Sequence, residues 1–90
     1  MSQSSEVVVA ARLPEQVALH ARPAGLFVRT AAAFPCAVVV SANGKRANAK
    51  SILEVLGLGA TGGAELELSA SGERAAEAVE NLAALVRSLA

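Results

Sequence analysis

The chain contains one histidine, and its neighbours make it a candidate nucleophile. His20 lies in the run Ala18-Leu19-His20-Ala21-Arg22-Pro23-Ala24. A proline in the first turn of a helix removes an N–H that would have no intrahelical partner anyway, so Pro23 fits a helix opening at Ala21. Ala24, Val28 and Ala31 recur at i, i+4 and i+7, with Phe27, Ala31 and Phe34 alongside, which carries the predicted helix to about Ala33. Pro35 stops it, because the residue before a proline avoids helical backbone angles. His20 therefore belongs at a helix N-terminus, where outward-pointing amides and the helix dipole favour an anion. A helix N-terminus also disfavours the protonated ring, and the neutral imidazole is the nucleophilic form. Arg22, two residues on, carries a guanidinium that can grip phosphate oxygens through two hydrogen bonds. The chemistry suggested is the holding of a phosphoryl group.

The sequence supplies little for other chemistries. One His and one Cys cannot furnish four soft ligands, so no metal site is expected, and no cofactor. Cys36 has no partner for an internal disulfide and reads as a small buried hydrophobe in a Val-rich run. Gly57-Leu58-Gly59 follows a helix instead of opening one, which does not suit a dinucleotide fingerprint. Thr61-Gly62-Gly63 reads as a turn. Aromatic residues make up 2% of the chain, too few to stack single-stranded bases, so nucleic acid is not an expected partner.

The elements that must hold His20 follow from pattern. Ninety residues fit a single domain, 1–90, and a hydrophobic fraction of 53% with so few aromatics implies an aliphatic core. The start, MSQSSEVVV, lacks the basic and long apolar segments of a signal peptide, and no apolar run reaches the roughly 20 residues of a membrane span. A cytoplasmic protein without membrane insertion is the expectation. Glu6–Leu13 reads as a strand, Ala37–Ala42 as a second, and Lys45–Ala49 as a third, joined to the second by the hairpin signal Asn43-Gly44. Ser51 and Glu54 match a capping box, each expected to satisfy the other's free donor, opening a short helix ended by Gly57 and Gly59. Glu65–Ser71 alternates as a half-buried strand with Leu66, Leu68 and Ala70 inward. In the last segment Ala75, Ala76, Val79, Leu82, Ala83, Val86 and Leu89 form an apolar stripe. The order β-α-β-β-α-β-α is α+β, and packs most economically as an antiparallel sheet with all three helices on one face. Net charge is zero, yet no carboxylate lies between Glu15 and Glu54, a stretch holding Arg22, Arg29, Lys45, Arg46 and Lys50. If that stretch forms one face, it attracts a phosphate or an acidic partner.

The run Ala18 to Ala24 resembles the active-site signature of the histidine-containing phosphocarrier proteins (HPr) of the bacterial phosphoenolpyruvate-dependent sugar phosphotransferase system. Lys50-Ser51-Ile52-Leu53 and Leu56 through Gly59 resemble that family's second signature, its regulatory-serine segment. The likeness covers nearly the whole chain. It implies an open-faced β-sandwich with a four-stranded antiparallel sheet. It further implies that His20 takes phosphate on Nδ1 from phosphorylated enzyme I, that Arg22 stabilises it, and that IIA domains of sugar permeases receive it. Such a protein is a carrier, not a free-standing enzyme. By the same resemblance Ser51 is a candidate site for a serine kinase, with a transcriptional regulator as a further partner. Ala21, Gly25, Arg29, Lys50, Ile52, Leu53 and Leu56 are the expected docking residues, although the apolar ones could equally face the core. Ser51 also has a structural reason to be present, as a helix cap. Glu54 departs from the family pattern by placing an acid on an otherwise basic surface, and Gly25 and Gly62-Gly63 also differ. A regulatory module switched at Ser51, or a carrier serving a nitrogen-regulatory or dihydroxyacetone-kinase branch, are the alternatives.

Overall fold

A computed structural model describes residues 6–89. The elements are β1 (Glu6–Arg12), α1 (Ala21–Ala32), β2 (Ala37–Ala42), β3 (Lys45–Asn48), α2 (Ile52–Gly57), β4 (Glu65–Ser71) and α3 (Ala75–Ser88). Order and type agree with the sequence expectation, and ends differ by a residue or two. Leu13 leaves β1 but stays fully buried, with its N–H bonded to the Ala64 carbonyl at 2.9 Å.

The strands form one antiparallel sheet in the order β1-β4-β2-β3. Strand side chains alternate between faces, so Leu66, Leu68, Ala70, Val38 and Val40 point to one side and are buried. The helices cover that side. Glu6, Val8, Ala10 and Arg12 of β1, with Glu65 and Glu67 of β4, point to the other side and are exposed. This is the open-faced arrangement. Asn43 and Gly44 both take positive φ, 55° and 75°, as a two-residue hairpin turn requires.

The core is aliphatic apart from Phe27 and Phe34, both contributed by α1 and its exit, and Cys36 is buried in it. In α3 the buried residues are Ala75, Ala78, Val79, Leu82, Ala83 and Val86. Ala76, expected inward, is exposed. At about 100° per residue it falls just off the edge of the buried arc, and Ala78 takes its place on the other margin. Arg87, in the last turn of α3, donates to the Ala10 carbonyl at 3.2 Å and ties the helix end to the edge strand β1.

Candidate functional site

Two buried anchors bracket His20. Leu19 is buried, and its N–H donates to the Ala60 carbonyl at 2.9 Å. Ala24 is fully buried, and its N–H donates to the His20 carbonyl at 2.8 Å, the first bond of α1. His20 is thus the N-cap residue, with extended backbone (φ −101°, ψ −162°), and it is exposed. Its ring makes no capping bond to the helix. The amides of Ala21 and Arg22 have no acceptor among the described residues, and Pro23 has none to offer. Arg22 is exposed and makes no hydrogen bond or ion pair among the described residues. An imidazole, two unpaired first-turn amides and an unpaired guanidinium thus belong to three consecutive exposed residues at the start of α1, the kinds of group that can hold a tetrahedral dianion at a helix start.

The backbone leading to His20 is clamped by the loop after α2. Besides the Leu19–Ala60 bond, the Gly63 N–H donates to the Leu13 carbonyl at 3.1 Å. A Cβ built on Gly62 would overlap the Glu15 carbonyl oxygen. The loop therefore approaches residues 13–15 so closely that only glycine fits at position 62. The sequence marked this stretch as a turn, and nothing in its pattern disclosed the contact.

Ser51 is the N-cap of α2, and its Oγ accepts the Glu54 N–H at 3.3 Å. The second half of the expected capping box is absent. Glu54 Oε1 accepts the Asn48 N–H at 2.8 Å instead, and the Ser51 N–H donates to the Asn48 carbonyl at 3.0 Å. Asn48, at the end of β3, outcompetes Ser51 for the carboxylate. α2 runs through Gly57, and Gly59, at φ 63°, follows the cap residue Leu58 in left-handed conformation.

Two ties orient α2 against α1. Leu19, before α1, bonds Ala60, beyond the end of α2. At the opposite end the Lys50 ammonium, before α2, donates to the Phe34 carbonyl at 2.7 Å. The helices therefore lie side by side and antiparallel. Ser51 stands at the end of α2 away from His20, and Leu56 at the nearer end.

Ile52, Leu53 and Leu56 are all exposed, Leu53 by 78%, while Val55 and Leu58 fill the core. Leu26 of α1 is exposed as well, at 38%, and was missed at the sequence level. Its signal was available, since it lies off the Ala24–Phe27–Ala31 stripe and one turn beyond Arg22. Arg29 and Ala21 are exposed, and Gly25 is half-buried with open space where a Cβ would stand. Lys50 is the exception among the expected docking residues. It is half-buried and its ammonium is engaged at the exit of α1. No cluster of three His, Cys, Asp or Glu side chains able to hold a metal occurs among the described residues.

Residues 5–88 match the family model described as the phosphorylation site of the HPr component of the phosphotransferase system. The chain belongs to the HPr phosphocarrier family. The HPr of Streptomyces coelicolor is 52% identical over 69 residues, covering 76% of this chain and 74% of the relative. The HPr of Vibrio cholerae is 46% identical over 71 residues, covering 79% of this chain and 84% of the relative. The crystal structure of HPr from Bacillus anthracis superposes with a TM-score of 0.87 at 35% identity, covering 92% of this chain and 99% of that one. This chain is accordingly a phosphoryl carrier of the phosphotransferase system and not a catalyst. None of the helices described is long and apolar enough to cross a membrane.

Proposed function

We propose that His20 is the phosphoacceptor of this HPr-family chain, taking the phosphoryl group on Nδ1 from phosphorylated enzyme I and yielding it to IIA domains of sugar permeases. The observation that carries the reading is the state of the ring: exposed at the N-cap of α1, and left out of the cap. Transfer is in-line between one histidine on each protein. The transition state is loose, so the protein's contribution is positioning and charge balance. Arg22 and the free amides of Ala21 and Arg22 would neutralise the developing charge. A single guanidinium at the surface holds the phosphoryl group without trapping it. One carrier domain spanning residues 1–90, acting in the cytoplasm, is part of this reading.

Docking belongs to the surface of α1 and α2. Ala21, Gly25, Arg29, Ile52, Leu53 and Leu56, joined by Leu26, would meet enzyme I and IIA domains. Arg22 and Arg29 favour acidic rims on those partners. Gly25 supports this, since a mid-helix glycine costs about 0.5–1 kcal/mol against alanine and has no packing reason here. Lys50 braces α2 against α1 and would act on docking indirectly.

Ser51 phosphorylation by a serine kinase, read by a transcriptional regulator, is the regulatory extension. The hydroxyl already caps α2, so modification would set a dianion at the N-terminus of that helix, where it is favoured, but close to the Glu54 carboxylate. Its effect is expected on partner binding.

The test is incubation with enzyme I and labelled phosphoenolpyruvate. The parent protein should acquire an acid-labile label, and His20→Ala should acquire none while melting like the parent. Full labelling of His20→Ala would refute the proposal. An acid-stable label confined to Ser51 would favour the regulatory alternative.

A further inference from the structure

The β2–β3 hairpin reaches the end of α2. Asn43 Nδ2 donates to the Leu58 carbonyl at 3.1 Å and to the Gly59 carbonyl at 3.4 Å. The first is a carbonyl the helix leaves without a partner as it ends, and the second belongs to the residue just beyond the cap. One residue further, the Ala60 carbonyl accepts the N–H of Leu19, the residue before His20. A short relay thus connects the hairpin tip to the backbone that aims the imidazole: the Asn43 amide, residues 58–60, Leu19, His20. Leu58, Ala60 and Leu19 are each buried, so the inner part of the relay is packed, while Asn43 and Gly59 at its outer end are exposed.

We propose that Asn43 is a positioning residue for phosphoryl transfer at His20. The inference rests on the reading of His20 as phosphoacceptor. Asn43 has an ordinary reason to exist, since it takes a left-handed turn position at φ 55°. Glycine satisfies that requirement equally well and lacks the amide. A residue needed for the turn alone would therefore be replaceable by glycine without effect at His20. The amide instead fixes residues 58–60, and through them the direction in which His20 leaves the core. In-line transfer is sensitive to such placement, because small displacements of a reacting group cost rate steeply.

The experiment compares the parent with Asn43→Gly and Asn43→Asp, each as the full chain. Three quantities are read: amide exchange at Leu19, the ring spectrum of His20 by NMR, and the rate of phosphoryl uptake from enzyme I. Both variants keep a residue suited to the turn and should stay folded. Loss of one net hydrogen bond corresponds to about 2–10-fold. Leu19 exchange should accelerate by about that factor, the His20 ring resonances should shift, and kcat should fall with KM little changed. Asn43→Asp, which turns a carboxylate toward two carbonyls, should lose at least as much. Parental Leu19 exchange, ring spectrum and kcat in both variants would overturn the proposal. If the parent itself takes up no phosphate, the underlying reading fails. Leu19 exchange and the ring spectrum then still decide whether Asn43 positions the segment.

Discussion

If His20 is the phosphoacceptor, as proposed, a single residue joins two requirements that oppose each other: its ring must be exposed to meet a partner, yet held in one direction. The structure is suited to both, since the residue before it, Leu19, and the first interior helical residue, Ala24, are buried while the ring makes no capping bond. Arg22 repeats the pattern at the level of charge, since it has no internal carboxylate to compete for it among the described residues. Replacing Arg22 with Ala should therefore leave stability within about 0.5 kcal/mol, as for most surface changes. It should slow phosphoryl transfer roughly 10–100-fold, the range for removing a hydrogen bond to a charged group. Rapid-quench transfer from enzyme I beside a denaturant melt measures both. The His20 environment was legible in the sequence because Pro23 and the Ala24–Phe27–Ala31 spacing locate a helix start without reference to anything distant. Glu54 was half legible. Its backbone bond to Ser51 is local, whereas its carboxylate found Asn48 across a strand end, which spacing alone does not encode.

Among the elements, the loop from Ala60 to Ala64 is the part that sequence pattern left unexplained. Its function is to grip residues 13–19. Gly62→Ala should force the loop away from the Glu15 carbonyl. The expected loss is about 1–3 kcal/mol, comparable with overpacking elsewhere, together with slower transfer at His20 because the grip on Leu19 loosens. Thermal melts and transfer rates check this. A second clip joins α1 to α3. Arg74 lies over the Phe34 ring, 4.9 Å from its centroid, and pairs with Glu77 through two hydrogen bonds of 2.9 Å. The Arg74 hydrogen bond holds the Glu77 carboxyl below the ordinary carboxylate range. A lowered folded-state value means that the pair stabilises the fold above the unfolded carboxyl value. The contribution disappears as pH falls through the lowered value. Arg74 also sits in left-handed backbone at φ 64°, a conformation that favours glycine. Arg74→Ala should accordingly destabilise more than Arg74→Gly, and the difference from the parent should shrink in acid. Denaturant melts at neutral and acidic pH give both comparisons.

For the whole molecule, division of labour between two faces is the organising feature. Among the described residues no element covers the sheet's open face, where Val8 and Arg12 are exposed, while α1 and α2 carry Arg22, Arg29 and most of the large exposed apolar side chains: Leu26, Ile52, Leu53 and Leu56. Leu53, the most exposed of these, contributes nothing to the core. Leu53→Ser should leave the melting temperature nearly unchanged, since burial is what makes leucine stabilising. It should raise KM for enzyme I with kcat conserved, the signature of lost binding without lost chemistry. By contrast Leu82→Ala, at a fully buried position, should lose about 2–5 kcal/mol. The layered architecture was readable because alternation in β4 and the stripe in α3 each define a single buried side. Ala76 was misassigned because it sits one step outside a buried arc whose edges only packing decides. The exposure of Leu26 was readable from its place off the Ala24–Phe27–Ala31 stripe, whereas the side-by-side packing of α1 and α2 rests on contacts that spacing does not encode.

The most direct measurement is NMR of the chain after phosphorylation by enzyme I and phosphoenolpyruvate, with phosphorus and ring-nitrogen detection. A single phosphoramidate signal coupled to Nδ1 of His20, absent in His20→Ala and lost on adding a IIA domain, is the expected result. A phosphorylated chain whose His20 ring is unmodified, with the phosphorus on Ser51 or elsewhere, would contradict it.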